Sequence, residues 1–98
     1  MILEIASLQV KAGQEAAFEA ALREASPIIA RSRGYITHQL QRCMETQGRY
    51  VLLVQWQTLE DHTQGFRGSA DYQEWRARLH HFYDSALVEH YDMVLNWP

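Results

Sequence analysis

Strand-like and helical runs in the order β-α-β-β-α-β, a hairpin joining the middle strands, and a third strand apolar on both sides together predict an α+β fold. They specify a ferredoxin-like antiparallel sheet with both helical segments on one face. The second helix is split by Gly68-Ser69. With 98 residues, 47% hydrophobic and 21% charged, residues 1–98 are expected to form one domain of ordinary globular composition.

Ile2 to Val10 alternates loosely and closes at Lys11-Ala12-Gly13, which reads as the first strand. From Gln14 the period changes: Phe18, Leu22, Ala25 and Ile29 recur at helical spacing, with Glu15, Glu19, Arg23 and Glu24 falling largely elsewhere. Pro27 lacks an N–H and crowds the preceding turn, so a kink or break is expected near residues 24–27. Gly34 ends the helix. Tyr35 to Met44 reads as a second strand with Ile36, Leu40 and Met44 in one phase, and a short Gly48-containing turn leads into the third, Arg49 to Trp56. Thr58 is placed to cap a short helix running through Phe66, and Ser69 to cap a second running to about Tyr83. Leu87 to Trp97 is expected as the last strand.

In RYVLLVQW, Tyr50, Leu52, Val54 and Trp56 share one side and Val51 and Leu53 the other. Two faces that both need burial imply a second layer beyond the helices. A homodimer packing sheet against sheet supplies it, and the competing explanations are a monomer with a partly apolar sheet face or a different partner protein.

Several classes of function fit poorly. The formal charge of −3 and nine scattered basic residues argue against nucleic acid as a partner, and no apolar run approaches membrane-spanning length. A single cysteine, Cys43, and no secretory signal fit a cytoplasmic location. There is no CxxC, HExxH or calcium-loop motif, so no metal site is expected, and GFRGS lacks the spacing of a nucleotide loop.

The stretch HTQGFRGSADYQEWRARLHHFY is dense in histidine, arginine and aromatics. Wound at helical spacing it separates. Leu59, His62 and Phe66 share a stripe, so His62 points inward, either satisfied structurally at the core edge or poised as a base. Tyr72, Trp75, Leu79 and Phe82 form a second stripe that reads mainly as core, while His80 and His81 fall toward solvent. Arg76 flanks that stripe, either resting its stem on apolar surface or stabilising an oxyanion at a pocket mouth. Ser7, His38 and His90 lie on strands, where some must face the space between sheets and where histidine is ordinarily a hydrogen-bonded structural group. Polar groups such as these in an apolar lining have the form of a small-ligand site.

The run LLVQWQTLEDHTQGFRGSADYQEWRARLHHFYD, with VEHYDMV after it and the first strand closing at Lys11-Ala12-Gly13, resembles the antibiotic biosynthesis monooxygenase family over almost the whole chain. The resemblance implies a dimeric α/β barrel whose cavity, in some relatives, oxidises phenolic polycycles or quinols with O2 and no metal or flavin cofactor. Quinone-forming relatives use the Trp closing the third strand, a group in the next helix and an Arg on the helix after it; counting from Trp56 puts His62 and Arg76 there. Two positions depart from the pattern. An amide on the third strand of those relatives falls on Leu52, and the Asn and His of haem-degrading relatives fall near Ser7 and Trp75, which disfavours haem degradation.

The expected function is therefore a cofactor-independent monooxygenase acting on a small hydrophobic aromatic, phenolic or quinol-type substrate held between sheet and helices. His62 is the expected base, Arg76 the oxyanion group and Trp56 the wall, with His38, His90, Tyr72 and Ser7 as further substrate-binding candidates. A non-catalytic ligand-binding module and a cofactor-free isomerase share the same fold and stand as alternatives.

Overall fold

The computed structural model describes residues 1–98. Strands β1 (Ile2–Val10), β2 (Tyr35–Arg42), β3 (Arg49–Trp56) and β4 (Tyr83–Asp92) form one antiparallel sheet in the order β2-β3-β1-β4. Helices α1 (Glu15–Ala30) and α2 (Ala70–Leu79) cover a single face, with a π-helical turn at Asp61–Phe66 before α2 and a 3-10 turn at His80–Phe82 after it.

Strand alternation decides which side chains enter the core. Glu4, Ala6, Leu8 and Val10 of β1 and Tyr50, Leu52, Val54 and Trp56 of β3 are buried beneath the helices. Helix α1 meets them with Phe18, Leu22, Ala25, Ile28 and Ile29. The stripe expected from its sequence is the one it buries. Pro27 does not break the helix, which runs without interruption to Ala30; both Pro27 and Arg23, whose carbonyl loses its helical N–H, are exposed, so solvent can take the missing partner's place.

The predicted caps form. The Thr58 hydroxyl accepts the Asp61 N–H at 3.1 Å, and the Ser69 hydroxyl accepts the Tyr72 N–H at 3.1 Å. Gly34 turns the chain from α1 into β2 at φ +83°, and a Cβ there would collide with the Asp61 carboxylate. The start of β2 is thereby packed directly against the π turn.

Three boundaries differ from expectation. Strand β2 stops at Arg42, leaving Met44 exposed, and an irregularity between Tyr35 and Thr37 takes Ile36 out of phase with Leu40. Helix α2 ends at Leu79, and the 3-10 turn carries His80 inward while His81 stays exposed. Strand β4 covers Tyr83–Asp92 rather than Leu87–Trp97, because it pairs along β1 and Asp92 already lies opposite Ile2 at the end of that strand. Beyond it, Met93, Val94, Leu95 and Trp97 are exposed.

At the other end of the same ladder a bulge shifts the register: Gln9 pairs with Ser85 but Val10 with Tyr83, so Asp84 is the extra residue. The helix-free face presents Leu3, Ile5, Val51, Leu53, Leu87 and Tyr91, an apolar surface that nothing in the chain covers.

Candidate functional site

Between the sheet and the helical layer lies a cavity of about 110 Å3. Its floor is made of small side chains, Ala6 from β1 with Ala86 and Val88 from β4, and larger groups of the helical layer, Phe66, Tyr72 and Trp75, close it above. The space exists because bulky residues on one layer meet alanines on the other. Phe66 sits edge-on to both Tyr72 (5.4 Å, 81°) and Trp75 (5.9 Å, 79°), which holds the roof. A bidentate pair from Arg31 at the end of α1 to Asp71 at the start of α2, at 2.7 and 3.0 Å, ties the two helices together.

One end of the cavity is polar. Glu4 of β1 is only 6% exposed, and its Oε1 accepts the Trp56 indole N–H at 2.9 Å. His62, 4% exposed, lies flat on Trp56 with ring centroids 5.3 Å apart and an interplanar angle of 20°. Its Nε2 is 3.4 Å from Glu4 Oε1, and its Nδ1 shares a hydrogen bond of 2.8 Å with Nε2 of His90. His90 is half-buried and sits directly opposite Glu4 across the β1–β4 ladder. The result is a continuous line from a buried carboxylate through a buried imidazole to a half-exposed one.

Arg67 also lines this cavity and makes no ion pair. The π turn places it. On an α-helix, five residues advance through roughly 500°, which would turn Arg67 about 140° away from His62. Here the Arg67 N–H donates to the His62 carbonyl at 3.1 Å, an i→i+5 bond that closes one wide turn and stacks the two residues.

Burial pushes the Glu4 carboxyl upward, while the Trp56 N–H and the Arg67 charge pull it back. Burial, then repulsion from Arg67 and from a charged His90, drives His62 down from 6.5 to about 3, so it is neutral at physiological pH. Burial and Arg67 lower His90 as well. No group of three His, Cys, Asp or Glu side chains is arranged to hold a metal ion. The His62 and His90 nitrogens, 2.8 Å apart, face each other across a shared proton.

Of the candidates named from sequence, Trp56, His62 and His90 come together, and Tyr72 lines the cavity. Three do not join them. Arg76 is exposed on α2 and does not line the cavity, because helical spacing turns it away from the Tyr72-Trp75 face; Arg67 occupies the place expected of it. Ser7 alternates with Ala6 and Leu8 onto the helix-free face. His38 lies under α1, bonded to Ser26 at 2.9 Å and to the Tyr35 hydroxyl, a satisfied structural group away from the cavity. His80, read as solvent-facing, lines the cavity. Glu4 was missed, although it shares the phase of Ala6, Leu8 and Val10, which is the signal that places it inside.

The sheet order and the one-sided helical layer define a ferredoxin-like α+β domain with a cavity between its layers. The chain belongs to the antibiotic biosynthesis monooxygenase family, whose sequence model matches residues 1–78. It is 56% identical over 95 residues to the uncharacterized protein YczJ of Bacillus subtilis strain 168, an alignment covering 96% of this chain and 100% of that one. A solved structure from Bordetella bronchiseptica, named for the antibiotic biosynthesis monooxygenases, is 42% identical with a TM-score of 0.92, covering 96% of this chain and 97% of its own. SnoaB, a cofactor-independent oxygenase of Streptomyces nogalater, shares the fold at 16% identity and a TM-score of 0.85, over 99% of this chain and 96% of its own.

Proposed function

We propose that the protein is a cofactor-independent oxygenase for a single-ring phenol or quinol, working as a homodimer. The observation that carries this is the buried Glu4–His62 pair beside Arg67 at the only strongly polar end of an otherwise apolar cavity. A hydroxylated ring entering there meets a carboxylate able to take its proton and a guanidinium able to stabilise the resulting oxyanion. His62, held neutral, is not the final resting place of that proton; Glu4, whose affinity for a proton burial has raised, is the base, and His62 orients it.

Deprotonation makes the ring electron-rich enough to combine with O2. The peroxide so formed breaks at its O–O bond, one oxygen staying on the ring and the other leaving as water, with the substrate supplying all four electrons. A hydroquinone would become a hydroxyquinone. Size sets one ring as the upper limit: an apolar cavity of roughly 150 Å3 holds a benzene, and this one, at about 110 Å3, is smaller.

The test is O2 uptake with a panel of single-ring hydroquinones and phenols in metal-free and flavin-free solution. Glu4→Gln and Arg67→Ala are expected to lower the rate by about 10²-fold or more, and Arg76→Ala to leave it near wild type. Tight binding without uptake by any compound would establish a sequestering module instead.

A further inference from the structure

The proposed base is buried, and the proton it accepts is needed again only when the O–O bond breaks and the leaving oxygen becomes water. Glu4 is 6% exposed and His62 is 4% exposed, and neither gives that proton a direct way to water. His90 does have one, being half-buried on β4, which is an edge strand of the sheet. Its place beside His62 follows from the β1–β4 register, which sets it opposite Glu4. It also lies beyond residues 1–78, where the family's sequence model matches.

We propose that Glu4, His62 and His90 form a proton relay between the cavity and the surface at β4, carrying a proton out when the ring is deprotonated and back when water forms, a reading that rests on Glu4 acting as the base. Each transfer balances. The proton taken by Glu4 moves from Oε1 to Nε2 of His62; the proton on Nδ1 of His62 moves to Nε2 of His90; and the proton on Nδ1 of His90 leaves to water. One proton enters and one departs, so His62 never needs to hold a lasting positive charge. The return of a proton along the same path, to the oxygen that leaves as water when the O–O bond breaks, restores the starting tautomers. The His62–His90 step spans 2.8 Å, and the longer 3.4 Å step to Glu4 belongs to the kind of catalytic contact that tightens when substrate binds. The flat stack on Trp56 keeps the His62 ring in the plane that points one nitrogen at each partner. The charged groups facing the relay are Glu4 at its inner end and Arg67 beside it.

The relay is tested without any substrate, by the exchange of the His62 ring N–H with solvent, measured by nitrogen-15 NMR. In His90→Gln, which keeps a hydrogen-bonding side chain but cannot pass a proton, the exchange is expected to slow at least tenfold. In His90→Ala it is expected to slow likewise and to be restored by added imidazole. Backbone amide exchange in β1 and β4 serves as the control and should not change. Unaltered ring exchange in both variants, or slowing in His90→Ala that imidazole leaves untouched, overturns the relay. O2 uptake decides the oxygenase reading separately, so a silent enzyme with a working relay and an active enzyme without one are distinguishable.

Discussion

At the scale of single residues, the site depends on burying Glu4 and His62 while giving their polar atoms partners. His62 shows what this does to stability. Its folded value of about 3 lies below the ordinary 6.5, so the unfolded chain binds the proton first; its contribution is whole above pH 6.5 and is lost as pH falls toward 3. His38, His80 and His90 are displaced in the same direction, chiefly by burial. Glu4 acts oppositely, because its raised value favours the folded protein once it protonates. Between pH 6.5 and 4.5 the four imidazoles dominate. Urea unfolding should therefore show a loss on the order of 2 kcal/mol from His62 alone between neutrality and pH ~5, and a flatter profile in His62→Phe.

Trp56→Phe keeps the stack but removes the N–H held by Glu4. The expected cost is about 1–3 kcal/mol in the same assay, since a buried carboxylate loses a donor. Arg67→Ala should raise the His90 titration midpoint observed by NMR, because the Arg67 charge now holds it down.

At the scale of elements, the π turn is the part that creates a site from an otherwise ordinary helix entry. Deleting Gly65, an exposed residue inside it, would let the segment relax to α-helical spacing with Arg67 four residues after His62 and still on its face. Such a variant is expected to stay folded by circular dichroism and to keep O2 uptake well above that of Arg67→Ala. Pro27→Ala should restore the N–H that Arg23 lacks and stabilise the protein by about 1–3 kcal/mol in urea unfolding.

These two elements also mark what a sequence can reveal. The α1 stripe and the Thr58 and Ser69 caps were legible because they are local, depending on spacing within one turn or one helix. The extent of β4 was not, since it is set by how far β1 reaches, a partner some eighty residues away. Arg67 was hidden for a different reason: counting at 3.6 residues per turn discards it, and only i→i+5 bonding brings it back. Arg76 was favoured by the same count. His62 and Trp56 survived because a one-turn error in that region leaves both beside the end of β3.

For the whole molecule, the apolar helix-free face is the largest unmet demand. Leu87 is 60% exposed and Tyr91 49% exposed on it. Sheet-on-sheet association would bury them, and we expect light scattering to give a dimer for the wild type and a monomer for Leu87→Glu. The cavity lies on the opposite side of the sheet, so its shape should be retained in that monomer, as judged by unchanged His62 and His90 resonances.

The bulge at Asp84 has a bearing on the charge inventory of the interior. Counting inward by twos from His90 through Val88 and Ala86 would bring a carboxylate, Asp84, to the far end of the cavity. The extra residue inverts that last step: Asp84 faces solvent, 3.6 Å from Lys11, and Tyr83 turns in, its hydroxyl pushed to about 12 chiefly by burial. The cavity is then lined by one carboxylate, the buried Glu4, and one guanidinium, Arg67, which also reaches solvent. In the proposed reaction the negative charge that develops on the ring then meets no second carboxylate. A single surplus residue in an edge strand thus keeps a second carboxylate out of the cavity.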